Sequence, residues 1–216
     1  MNVKYAWQIQ ETTRDTLYFP MDSFESWINA YYPTEHTKPD ILVQGFAEFL
    51  PGEVWAGVYP ISDNGNETDL FKDLLSTGVN SFIDLTNPKD LHRKFSYRKT
   101  LLQVSRELGR VVEVKFFPLP FRASPERLQV QQTLKRIDHS LKKRQRVYIH
   151  AGYNLEGRTP LILACLLMQR GYSAEKALAQ VNAFWMKTLC FLIRPPLSEM
   201  QQNFILKWKE RPAIRS

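Results

Sequence analysis

The chain has 216 residues, 44% hydrophobic and 24% charged, the balance of an ordinary globular protein with length for one large domain or a domain and an extension. Lys and Arg number 29 against 22 Asp and Glu, and the resulting charge of +7 favours anionic partners without choosing among them. Two scattered cysteines, Cys165 and Cys190, argue against a disulfide framework, and no apolar stretch reaches the about 18 residues of a spanning helix.

Residues 1–50 are expected to form a helical or irregular N-terminal extension that packs on the main body. They are rich in aromatics, including Tyr5, Trp7, Tyr18 and Phe19, which argues against disorder. Asp22 is a cap for a short helix through Tyr31, since Phe24, Trp27 and Tyr31 recur at helical spacing. Met1–Gln8 has no apolar core of the kind a secretory signal needs, so a cytoplasmic protein is expected.

From residue 51 to 212 the pattern alternates between strands and helices. Val54–Pro60 reads as a short strand stopped by proline, and residues 68–77 as a helix with Leu70, Phe71, Leu74 and Leu75 on one face, closed by Gly78. A buried strand over Asn80–Leu85, a basic helix over 91–108 and a strand over Val111–Phe117 follow. Ser124-Pro125-Glu126 predicts a helix start with a hydroxyl cap and proline at the first position, and Val130, Leu134, Ile137 and Leu141 keep helical spacing. Beyond the strand Val147–Ile149 come an apolar helix from Pro160 to about Arg170 and a helix over 174–187 with Leu178, Val181, Trp185 and Met186 inward. A last helix opens on the capping-box pattern Ser198-Glu199-Met200-Gln201. Strands alternating with helices of this length predict an α/β fold, a mainly parallel central sheet flanked by helices, with ligands at the carboxyl ends of the strands.

The segment His150-Ala151-Gly152-Tyr153-Asn154-Leu155-Glu156-Gly157-Arg158-Thr159 joins the strand Val147–Ile149 to the apolar helix. Successive backbone N–H groups that turn into a helix N-terminus form an anion cradle, and glycines let it close. Arg158 adds a planar fork that matches oxyanions two atoms at a time, and Thr159 caps the helix or donates to the anion. Glu156 works against this, because a carboxylate in such a cradle repels phosphate or pairs with Arg158. The basic run Lys142-Lys143-Arg144-Gln145-Arg146 lacks interleaved aromatics and reads as a solvated helix end, so nucleic acid is not an expected partner.

The order and spacing of several segments resemble the dual-specificity and protein-tyrosine-phosphatase-like family. They are Ala56-Gly57-Val58-Tyr59-Pro60, Phe82-Ile83-Asp84-Leu85-Thr86, Phe117-Pro118-Leu119-Pro120, the strand and loop at 147–159, and Arg194-Pro195-Pro196-Leu197-Ser198 with Gln201 and Phe204. The resemblance covers residues 54–210, nearly three-quarters of the chain, and implies a phosphatase fold with the loop 150–159 as its phosphate-binding loop.

The family's reaction needs a cysteine nucleophile and an aspartate acid. Aligned on His150, the nucleophile position is Ala151; aligned on Arg158, it is Gly152, because the loop is one residue longer than the family pattern H-C-x-x-G-x-x-R-[ST]. The general-acid position falls on Phe121. Cys165 lies on the apolar helix about 9 Å beyond the loop and reads as a core residue. The resemblance implies that His150 is structural. Of the carboxylates that could replace the acid, Asp84 reads as part of a buried strand, and Asp90, just after Pro88-Lys89, as a solvated helix start.

The expectation is therefore a phosphatase-fold protein without an intact catalytic set, a pseudophosphatase with a binding or regulatory role. A residual phosphatase acting through His150 or a bound water, and an interaction scaffold built on the aromatic extension, are the alternatives. A phosphorylated or anionic ligand and a protein are the candidate partners; no metal and no cofactor are expected.

Overall fold

The computed structural model describes residues 46–57, 59–60, 67–87, 97–121, 123–151, 157–188 and 197–208. The expected helix from Asp22, the loop residues Gly152–Glu156, Asp90, Cys190 and the Arg194-Pro195-Pro196 segment lie outside these residues, as does the side chain of Met186.

Among the described residues five strands build one sheet: β1 (Phe46–Leu50), β2 (Val54–Gly57), β3 (Val79–Asp84), β4 (Glu113–Phe116) and β5 (Arg146–His150). Their order is β1-β2-β5-β3-β4. The β2–β5, β5–β3 and β3–β4 pairs are parallel, and only β1, joined to β2 by a tight turn, runs antiparallel. Six helices are described: α1 (Glu67–Ser76), α2 (Arg98–Glu107), α3 (Arg127–Lys142), α4 (Arg158–Gln169), α5 (Ala174–Thr188) and α6 (Glu199–Leu206). The mixed α/β architecture with a mainly parallel sheet is the one expected.

Alternation along the strands gives the sheet two apolar faces. Trp55, Phe82 and Tyr148 stand side by side across β2, β3 and β5 and pack with Phe71, Leu74 and Leu75 of α1 and Leu101 and Val104 of α2. The opposite face carries Ala56, Ser81, Ile83, Val147 and Ile149. There Ser81 and Ser140 of α3 share a buried hydroxyl hydrogen bond of 2.9 Å, so the one polar side chain in that row is satisfied. Helix α4 is buried along Arg158–Leu167, which explains why its sequence is apolar on all sides.

Local details differ from the sequence expectations in four places. Strand β1 puts Phe46–Leu50 in the sheet, so the last five residues of the stretch 1–50 are part of the main body. The strand expected over Val111–Phe117 is shorter, because Val111 is 90% exposed and pairing with β3 begins at Glu113. Helix α3 starts at Arg127 and not at Pro125. Its cap is Glu126, in extended conformation, whose backbone N–H donates to Oε1 of Gln129 at 3.1 Å; the side chain three residues on decides the start, not the Ser-Pro pair. Along α5 the buried row is Ala177, Val181 and Trp185, with Leu178 at its margin.

Candidate phosphate-loop site

Strand β5 lies at the centre of the sheet and delivers His150 and Ala151 to its carboxyl edge, where ligands of parallel sheets gather. His150 lies opposite Gly57 on β2 and Asp84 on β3. By alternation from Tyr148 its side chain belongs to the face covered by α1 and α2, whereas the chain next turns into α4, which packs beside α3. His150 is fully buried among Tyr59, Tyr97 and Tyr148, with ring centroids 5.2–5.5 Å away. Its Nε2 is 2.9 Å from the Tyr97 hydroxyl, and its Nδ1 stands 3.9 Å from Oδ1 of Asp84, beyond hydrogen-bond range. Burial lowers the His150 pKa against the opposing pull of Asp84. Burial, helped by Asp84, also raises that of Tyr97, so the ring is a neutral imidazole facing a protonated phenol. His150 is thus packed among aromatic rings and shut off from solvent.

The far end of the loop is Gly157, the N-cap of α4, with φ 84° and ψ −78°. That conformation is close to a strained γ-turn that side chains oppose. A Cβ there would also lie 2.9 Å from Nε2 of Gln201, so the Gln201 amide would have to shift to admit one. The first helical bond closes from Leu161 N–H to the Gly157 carbonyl at 3.0 Å. Arg158 and Thr159 follow, both almost wholly buried. The buried guanidinium of Arg158 lies under the ring of Phe121, 5.3 Å from Cζ to the ring centroid.

Backbone bonds place Phe121 there. Beyond β4 the chain continues along β3, with Phe117 N–H donating to the Asp84 carbonyl at 2.8 Å and Leu119 N–H to the Leu85 carbonyl at 3.1 Å. The Phe117-Pro118-Leu119-Pro120 segment thus runs across the carboxyl edge and ends with an aromatic ring over the arginine. Asp84 is buried, and its Oδ1 accepts the Thr86 N–H at 2.9 Å, which fixes the carboxylate as a turn acceptor at the end of β3. Cys165 is fully buried in α4, and burial raises its thiol pKa, the opposite of what a nucleophile needs.

The structure therefore brings together Phe121, Gly157, Arg158 and Thr159, and turns His150 to the other face. Gly152, Tyr153, Asn154, Leu155 and Glu156 are outside the described residues. Two residues of this neighbourhood escape a sequence reading of the site. Gln201 shows itself in sequence as the third residue of a capping box and not as a wall of the loop, and Tyr97 lies in a stretch whose pattern reads only as basic helix. Among the described residues no cluster of His, Cys, Asp or Glu has the makings of a metal site, and no helix is long and apolar enough to cross a membrane.

The fold recurs in solved structures. PTPMT1 in complex with PI(5)P is similar at 16% identity over 75% of this chain and 92% of that one, with a TM-score of 0.56. Tk-PTP in its active form is similar at 20% identity over 77% and 96%, with a TM-score of 0.55. The core catalytic domain of the PP-IP phosphatase SIW14 from S. cerevisiae, in complex with citrate, is similar at 12% identity over 77% and 86%, with a TM-score of 0.53. No protein-family model and no curated protein matches the sequence. At these identities the likeness establishes the fold: the chain has the protein-tyrosine and dual-specificity phosphatase fold that its sequence motifs resemble.

Proposed function

We propose that this phosphatase-fold protein binds a phosphorylated or anionic ligand at the 150–159 loop and does not hydrolyse it. The observation that carries the reading is the Phe121 ring over the Arg158 guanidinium. A buried arginine in the first turn of a helix suits an oxyanion. The residue at the general-acid position offers no proton, and neither Ala151 nor Gly152 offers a nucleophile. Lack of a general acid alone removes about 10²–10⁴ in rate.

The complexes of PTPMT1 with PI(5)P and of SIW14 with citrate support an anionic ligand for this fold. Hydrolysis through His150 is disfavoured by its full burial and its contact with Tyr97. Regulation by occupancy, in a reducing cytoplasmic setting, is the role that such a site suits.

The test has two arms. Calorimetric titration with tungstate and with phosphotyrosine is expected to show binding by the wild type and none by Arg158→Ala. Hydrolysis of p-nitrophenyl phosphate between about pH 5 and 8, the range of such acid–base chemistry, is expected to stay at the level of a His150→Ala/Arg158→Ala double variant. Turnover above that level refutes the inactive reading, and absence of tungstate binding refutes the ligand site.

A further inference from the structure

Strand β4 ends the sheet order, and its far side has no strand beside it among the described residues. The backbone shows which groups are left over. Phe117 N–H donates to the Asp84 carbonyl at 2.8 Å, so by alternation Glu113 and Lys115 also turn their N–H and C=O groups toward β3. Val112, Val114 and Phe116 turn theirs outward, in a row that no other strand among the described residues meets. An open edge of this kind is a template for another strand. The residues flanking it are apolar and open to solvent, with Val111 90% exposed and Phe116 52%.

The stretch Val111-Val112-Glu113-Val114-Lys115-Phe116-Phe117 is complementary to itself when reversed. A second copy laid antiparallel, with a two-fold axis at Val114, sets Glu113 opposite the partner's Lys115 and Val112 opposite the partner's Phe116. One residue further out, Val111 meets the partner's Phe117. The backbone suits the same register. Val114 with its own copy, and Val112 with Phe116, form hydrogen-bonded pairs through the outward groups. Glu113 and Lys115 then fall at the non-hydrogen-bonded positions, where side chains come closest. Moving the axis by one residue, to 113 or to 115, sets Glu113 or Lys115 against its own copy, a like-charge pair. Within one chain Lys115 Nζ lies 3.2 Å from Oε1 of Glu113, while Arg136 of α3 holds Oε2. Pairing exchanges one lysine for its twin on that carboxylate and strands no charge. We infer that β4 is a self-association edge: two copies of this chain join β4 to β4, antiparallel about Val114, so that one sheet runs through both. The inference is independent of any ligand at the loop.

Sedimentation velocity of the full chain from about 10 µM to about 1 mM tests it, the span in which an interface of small area associates. A concentration-dependent dimer is expected. Lys115→Glu and Glu113→Lys each turn both cross-strand ion pairs into repulsions, and each alone is expected to associate at least about tenfold more weakly. Mixed in equal amounts, the two variants are expected to regain the dimer, because every acid then faces a base. Val114→Pro removes an outward N–H without taking a bond from the β3 ladder, and is expected to be monomeric. Should loss of the Arg136 pair unfold Glu113→Lys, then Lys115→Glu and Val114→Pro carry the test. A wild-type chain that stays monomeric at about 1 mM overturns the inference. So does a dimer that Lys115→Glu and Val114→Pro leave intact, or a mixture of the two folded charge variants that stays monomeric.

Discussion

Phe121 lays its ring over the guanidinium of Arg158, 5.3 Å from Cζ to the ring centroid, and so joins the segment after β4 to the first turn of α4. In a buried setting a cation on an aromatic face is held by the ring's quadrupole and loses little of that attraction to water. The contact ties the charged end of Arg158 to the segment beyond β4.

The pair is expected to be energetically coupled. Phe121→Leu keeps most of the apolar volume but removes the π face, and should lower stability by about 1–2 kcal/mol. In a double-mutant cycle with Arg158→Met, followed by urea unfolding, a coupling energy of at least about 0.5 kcal/mol is expected. Additive losses would show that the stack is a coincidence of packing.

Restoring a thiol should not restore a full catalytic set. On the proposed reading Phe121 offers no general acid, so Ala151→Cys is expected to discriminate against phenyl phosphate, whose leaving group needs a proton, relative to p-nitrophenyl phosphate, whose leaving group does not, by at least about 10² in rate. Equal turnover of the two esters would mean that another group protonates the leaving oxygen.

His150 makes stability depend on pH in a definite direction. Its pKa in the folded protein is lowered, chiefly by burial, so above the unfolded value of about 6.5 both states are neutral and nothing is lost. As pH falls below about 6.5 the unfolded chain takes up a proton that the folded chain refuses. Stability should then fall by up to about 1.4 kcal/mol per pH unit until the folded pKa is reached. His150→Gln, which keeps a hydrogen-bonding group near Tyr97, should flatten the urea-midpoint profile between about pH 6.5 and 5. An unchanged slope would assign the acid sensitivity elsewhere.

Gly157→Ala meets two obstacles, the positive φ and the Gln201 amide. A loss of about 1–3 kcal/mol is expected from the backbone alone. Adding Gln201→Ala should relieve the collision but not the backbone term, so thermal unfolding of the double variant should recover only part of the loss. Full recovery would mean that the glycine is there for space alone.

The sequence made the frame of this site legible because its signals are local. An apolar strand, a glycine-bearing turn and an apolar helix stand in sequence at 147–169, and the hydrophobic periods of α1 and α3 mark the helices on each face. Arg158 and Phe121 could each be placed by motif and spacing. Their contact could not, because it depends on where the 117–121 segment crosses the sheet, set by backbone bonds to Asp84 and Leu85. Gln201 and Tyr97 were hidden for the same reason. Each does a locally readable job, as helix cap or as the residue before α2, and acquires its second role only from elements distant in sequence.

The strand order carries a consequence for how the molecule is made. β5 is the last of the described strands along the chain yet lies between β2 and β3, so Val54 pairs with Val147 and Phe82 with Tyr148. During synthesis, β1–β2 and β3–β4 are expected to emerge as two ribbons with no bond between them, each presenting an unpaired edge to solvent or to a chaperone. Closure waits for residues 146–150, and such long-range parallel pairing is slow and exposed to aggregation. The strand that carries the loop is thus the keystone of the sheet, and a chain interrupted before it is expected to be a client of folding factors.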